Sequence, residues 1–123
     1  MYIYKVYDKD TGIERAWYNS SNILYSECDD IKDAYKTLRV TFRNGSTYEY
    51  HNVDVNDYLL FRQGALNGSN GKAFAKYIKA KYQFTKLPQK NPADIEKELE
   101  DERKKKKQQE LTIKEVKEEN KDA

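Results

Sequence analysis

Leu38, Val40 and Phe42 alternate with Arg39, Thr41 and Arg43, and Tyr48 and Tyr50 alternate with Thr47, Glu49 and His51. A period of two in each run predicts two half-buried strands, with Asn44-Gly45 turning the chain between them. A two-residue turn would set Val40 opposite Glu49 and Leu38 opposite His51, which mixes the faces. A three-residue loop, with Gly45 as a left-handed bulge, pairs Leu38 with Tyr50, Val40 with Tyr48 and Phe42 with Ser46. Arg39 then meets Glu49 and Thr41 meets Thr47 on the other face, both favourable partners. The three-residue loop is therefore preferred. It places Tyr48 and Tyr50 on the apolar face, where a core role is expected ahead of base stacking.

Upstream, residues 2–7 and 13–18 flank the turn cluster Asp8-Lys9-Asp10-Thr11-Gly12 and read as a hairpin. Ile23 to Cys28 reads as a third strand. Downstream, Asp54 caps a helix with Asp57 in its first turn. Val55, Tyr58, Leu59 and Leu66 form its expected buried side, and it ends near Gly64. Gly68-Ser69-Asn70-Gly71 leads into a second helix, where Phe74, Tyr77 and Ile78 recur at helical spacing. At about 100° per residue, Lys72, Lys76 and Lys79 cluster within about 60° on its opposite side. Gln83–Leu87 reads as a last short strand. The expected fold is α+β: a small antiparallel β-meander with two helices packed on one face, plus a charged C-terminal helix.

The pattern changes after Pro88. Of the 46 residues of the AVILMFWYC set, 39 precede position 89, as do all 11 Tyr, all four Phe and the one Trp. A globular domain over residues 1–88 and a charged tail over 89–123 follow from that split. In the tail, Asn91 caps a helix with Pro92 at its first position. Acid precedes base by four residues in Glu100/Lys104, Asp101/Lys105 and Glu102/Lys106, the favourable helical orientation. The expectation is a solvated helix over 92–107 that frays toward Ala123, with Ile95 and Leu99 as anchors for a partner. The net charge of +2 does not by itself argue for a polyanionic partner.

Chemistry is sparse. One Cys excludes an intramolecular disulfide, and the single His51 and Cys28 fall short of a zinc ligand set. They are also the one pair from which a nucleophile and base could be built, and no oxyanion site accompanies them. The chain is expected to be no enzyme and to need no cofactor. Asp29, Asp30 and Asp33 could hold a hard cation weakly, though a polar acidic loop is the commoner outcome. No apolar run reaches the roughly 18 residues of a membrane span, and residues 1–5 do not read as a signal peptide. A cytoplasmic location is expected.

Gly68-Ser69-Asn70-Gly71-Lys72 departs from the Walker pattern, since two residues rather than four separate the glycines and Ala73 follows the lysine. A Gly-x-x-Gly turn opening a helix still offers backbone N–H groups to a phosphate, and it resembles the backbone clamp of KH domains. The simpler alternative is that the glycines end one helix and Ser69 or Asn70 caps the next. The lysine row behind the turn suits a phosphate backbone, or is simply a solvated face.

Residues Ser20–Tyr82 resemble a KTSC domain, the short module named for the C-terminus of some lysyl-tRNA synthetases. The matching residues are Ser21, Ile23, Leu38, Val40, Phe42, Gly45, Tyr48-Glu49-Tyr50 and Val53. They continue with Ala65, Ser69, Gly71, Lys72, Phe74, Ile78, Lys79 and Tyr82. Cys28-Asp29 departs from a frequent Tyr-Asp, and Asp54 from a frequent proline. The resemblance suggests RNA binding. The leading expectation is a non-catalytic module that binds RNA or another nucleic acid through Gly68, Ser69, Asn70, Gly71, Lys72, Lys76 and Lys79, with Arg39, Arg43, Tyr48 and Tyr50 as further candidates. The second is a protein-interaction module, such as a phage or bacterial accessory protein or inhibitor docking on a larger assembly or host enzyme.

Overall fold

The computed structural model describes residues 2–29, 35–64 and 69–121, with side chains as far as residue 111. Six strands form one antiparallel sheet in chain order: β1 (Tyr2–Asp8), β2 (Ile13–Tyr18), β3 (Ile23–Cys28), β4 (Tyr35–Phe42), β5 (Thr47–Asp54) and β6 (Phe84–Leu87). Between β5 and β6 the chain forms α1 (Val55–Gln63) and α2 (Asn70–Phe74), which runs on into a π-helical turn over Ala75–Lys79. The α+β meander expected from the pattern is the observed architecture. The chain divides into two compact units between Pro92 and Ala93, so residues 89–92 belong with the sheet.

The β4–β5 hairpin has the register that face matching requires. Leu38 pairs with Tyr50, Val40 with Tyr48, Arg39 with Glu49 and Thr41 with Thr47. Gly45 has φ 91°, and its N–H donates to the Phe42 carbonyl at 2.9 Å, closing the three-residue loop. A Cβ at Gly45 would collide with the Lys90 carbonyl oxygen, so glycine is also required by the chain that follows β6. Further along β5 the alternation slips. Asn52 adopts φ 55°, and the pairing shifts between Lys36 and Leu38. The extra residue turns Val53 into the core, where strict alternation would have placed Asn52.

One face of the sheet carries Ala16, Ile23, Cys28, Leu38, Val40 and Tyr50, packed against Tyr58 and Phe61 of α1 and Phe74 and Ile78 beyond it. Asp54 caps α1 by accepting from the Asn56 N–H, and Gly64 ends it at φ 67°. The buried side of α1 is Tyr58, Phe61 and Arg62, a three-and-four spacing that the sequence pattern undervalued because Arg62 is charged. Val55 and Leu59 are half-buried instead, and Leu66 lies outside the described residues.

The lysine row expected on the second helix is divided. The Ala80 N–H bonds to the Ala75 carbonyl five residues back, and this wider turn departs from 100° per residue. Lys79 faces a cleft on the helix side of the sheet, while the Lys76 ammonium lies 5.3 Å from the centre of the Tyr77 ring.

The unit beyond Pro92 is α3 (Pro92–Lys121), a helix of 30 residues. It extends past the 92–107 expected, through a sequence in which charged helix formers continue beyond Lys107. Within it Lys105 pairs with Glu102 at 3.5 Å, three residues apart.

Candidate nucleic-acid interface

The cleft on the helix side of the sheet encloses about 690 Å³, within the size range of small-molecule sites. Strand alternation brings Phe42, Tyr48 and Tyr50 to its floor, α2 brings Phe74, and β6 brings Phe84. These five rings form a closed circuit of edge and tilted contacts. Centroids lie 5.8 Å apart for Phe42 and Tyr48, 5.5 Å for Tyr48 and Phe84, and 5.6 Å for Phe84 and Tyr50. The circuit closes through Phe74, 5.5 Å from Tyr50 and 5.4 Å from Phe42. Such edge contacts fix ring orientation more firmly than area burial alone. Phe84 is nonetheless 55% exposed, so the circuit reaches water at β6.

Polar groups ring this floor. Arg43 and Lys79 supply positive charge, and Ser21, Asn22, Asn44 and Ser46 supply amides and hydroxyls. Among the described residues that line the cleft, none is a carboxylate. Arg43 also donates to the carbonyls of Ser20 and Tyr18, the latter at 2.9 Å, which ties the hairpin to the β2–β3 connection. Burial, and then the neighbouring Tyr48, pushes the Tyr50 phenol up to about 12, so its hydroxyl stays protonated. The β4–β5 turn that carries Arg43, Asn44 and Ser46 is strapped from behind. The Lys90 N–H donates to the Gly45 carbonyl at 2.9 Å, and Gln89 Nε2 donates to the Asn44 carbonyl.

Of the residues expected at a binding site, the cleft gathers Gly71, Lys79, Arg43, Tyr48 and Tyr50. Lys72 and Lys76 are exposed outside its lining. Ser69 caps α2, accepting the Lys72 N–H at 3.2 Å, which occupies a donor that the turn would have offered to a phosphate. Asn70 is buried and donates to the carbonyls of Phe61 and Arg62 at 2.7 and 3.1 Å, closing the end of α1. A Cβ at Gly71 would meet Asn22 Nδ2 at 3.7 Å, an ordinary contact. Gly68 lies outside the described residues.

Arg39 is on the opposite face, as its pairing with Glu49 dictates. It reaches Glu27 at 3.1 Å, Asp29 through two N–H groups and Glu49 at 3.6 Å. Three carboxylates therefore share its charge, and the Asp29 bond above all, with Glu27 behind it, raises its pKa above the ordinary value. Asp29 is committed to this cluster, and Asp30 and Asp33 lie outside the described residues. Asn22, Asn44, Ser46 and Phe84, and Ser21 beyond its part in the family resemblance, were not expected at the site from the sequence. Only the Asn44-Gly45 turn and the alternation into β6 hinted at them.

A second polar constellation is closed. Glu14 accepts from the Tyr58 hydroxyl at 2.5 Å and from Arg62, and the Arg62 guanidinium lies 5.6 Å from the centres of both the Tyr58 and Tyr2 rings. Glu14 and Arg62 are 5% and 8% exposed. Burial alone would lower the Arg62 pKa, but its bond to the Glu14 carboxylate carries it above the ordinary value. Burial also drives the Tyr58 phenol upward. Cys28 is buried on this same face, where desolvation pushes its thiol up to about 12. His51 points to the other face and bonds to Thr85 at 2.9 Å. The two residues from which a nucleophile and base could be built are thus separated by the sheet.

The KTSC domain family model matches residues 31–82, a span that holds β4, β5, α1, α2 and the π-helical turn. Ser21 and Ile23, which also carry the resemblance, lie before it. No curated protein matches the chain. The chain therefore carries a KTSC domain over residues 31–82, which takes in the hairpin and helices that build most of the cleft.

Proposed function

We propose that the protein is a non-catalytic module that binds single-stranded nucleic acid, RNA first, in the cleft between α2 and strands β4 to β6. The observation that carries this is the composition of the lining: five aromatic rings, two cations and no carboxylate among the described residues. Aromatic floors stack bases of any sequence, and basic rims follow the phosphates. Phe84, exposed on the edge strand, is the ring on which an incoming base stacks. Lys79 takes the adjacent phosphate, and Lys72 and Lys76 extend the charge along the strand.

The test is fluorescence anisotropy of a labelled single-stranded RNA over a range of salt concentrations. The wild type should bind with log affinity falling linearly in log salt, at a slope of about 0.7 per neutralised phosphate. Replacing Lys72, Lys76 and Lys79 together by Glu should abolish binding. Absence of any salt-dependent RNA binding by the wild type contradicts the proposal. A stoichiometric protein partner that survives nuclease treatment would then assign the cleft to protein docking.

A further inference from the structure

If the cleft holds a nucleic-acid strand, as proposed, its hydrogen-bonding groups also bear on which base enters it. Asn44 Oδ1 accepts the Ser46 N–H at 2.9 Å. A backbone N–H can meet only an acceptor, so the carboxamide orientation is fixed, with Nδ2 as its remaining polar group. Arg43 and Lys79 are donors only. The backbone carbonyl of Asn22 is taken by the Arg43 N–H at 2.8 Å. Among the side chains of the lining, Arg43, Lys79 and Asn44 Nδ2 only donate, while the Asn22 amide oxygen and the hydroxyls of Ser21, Ser46, Tyr48 and Tyr50 can accept, so groups that can only donate predominate over those that can only accept.

Bases differ in what they present to such a surface. At the position where they differ, uracil O4 and guanine O6 accept, whereas cytosine N4–H₂ and adenine N6–H₂ donate and would be left without an acceptor in a donor-rich site. We infer that the cleft is selective for an unpaired keto base, uracil or guanine, with the Asn44 amide and the Arg43 guanidinium facing its carbonyl edge while the ring rests against Phe84 and Tyr48.

Oligouridylate and oligocytidylate of equal length test this, because the two rings are of similar size and differ in O4 against N4–H₂. The full chain should bind oligouridylate about tenfold more tightly, in the range that one well-made base-edge contact supplies. Asn44→Asp keeps an oxygen for the Ser46 N–H while replacing the amide donors by an acceptor. It should lower affinity for both strands through its charge and bring the ratio between them to one or below. Equal binding of the two strands by the wild type overturns the keto-base inference and leaves the strand-binding proposal standing. A uridine preference that persists in Asn44→Asp overturns the role of Asn44. Failure to bind either strand overturns the proposal on which the inference rests.

Discussion

Glu14, Tyr58 and Arg62 meet beneath α1 with almost no contact with water, whereas Arg43 and Lys79 stand on the open rim of the cleft. Both constellations lie on the helix side of one sheet, and both combine charge with aromatic rings. In the closed one each charge has its counter-charge and hydrogen bonds, apart from Arg62 Nε, which is buried with no hydrogen-bond partner among the described residues. In the open one the lining cations face no carboxylate of the lining. Charge satisfied internally serves folding, and charge left to the solvent is available to a ligand.

The largest effect expected from breaking this contrast is on the closed side. Glu14→Ala leaves the Arg62 charge buried without its partner and should destabilise the protein by about 3–5 kcal/mol in urea unfolding. Binding of RNA by the fraction that remains folded should be unchanged. A loss below about 1 kcal/mol would show that water reaches the cluster and that the two sites do not differ in the way described.

Phe84→Ala gives the converse. The residue is more than half exposed, so stability should change little, while RNA affinity should fall by about 1–3 kcal/mol, the usual cost of removing a stacking platform. Anisotropy and urea unfolding of the same preparation read both quantities. A stability loss with affinity intact would make Phe84 a core residue and remove the cleft's outer wall.

Much of this was legible in the sequence, and the parts that were not share a cause. Strand alternation and face matching were enough for the register of Leu38 with Tyr50 and Arg39 with Glu49, and the same register removes Arg39 from the cleft. Asp54 and Gly64 announced both ends of α1 by their capping chemistry. By contrast, the partner of Arg62 lies 48 positions away, and no local pattern signals a long-range buried ion pair. The bulge at Asn52 and the π-helical turn at Ala75–Lys79 shift side chains by one position, which periodicity assumes away. The lysine row was therefore expected as one stripe, while the structure sends Lys79 to the cleft and Lys76 to Tyr77. Gly68-Ser69-Asn70-Gly71 was legible as a helix start, but the buried bonds of Asn70 depend on α1 lying behind it.

Mapping backbone amide shifts of the ¹⁵N-labelled chain during titration with single-stranded RNA tests the central claim most directly. The largest changes should fall at Asn22, Asn44, Ser46, Gly71, Lys79 and Phe84, which surround the cleft, and Glu14, Tyr58 and Arg62 should stay still. Shifts centred on the Arg39 face of the sheet, or at the Glu14 cluster with the cleft unmoved, would contradict the account.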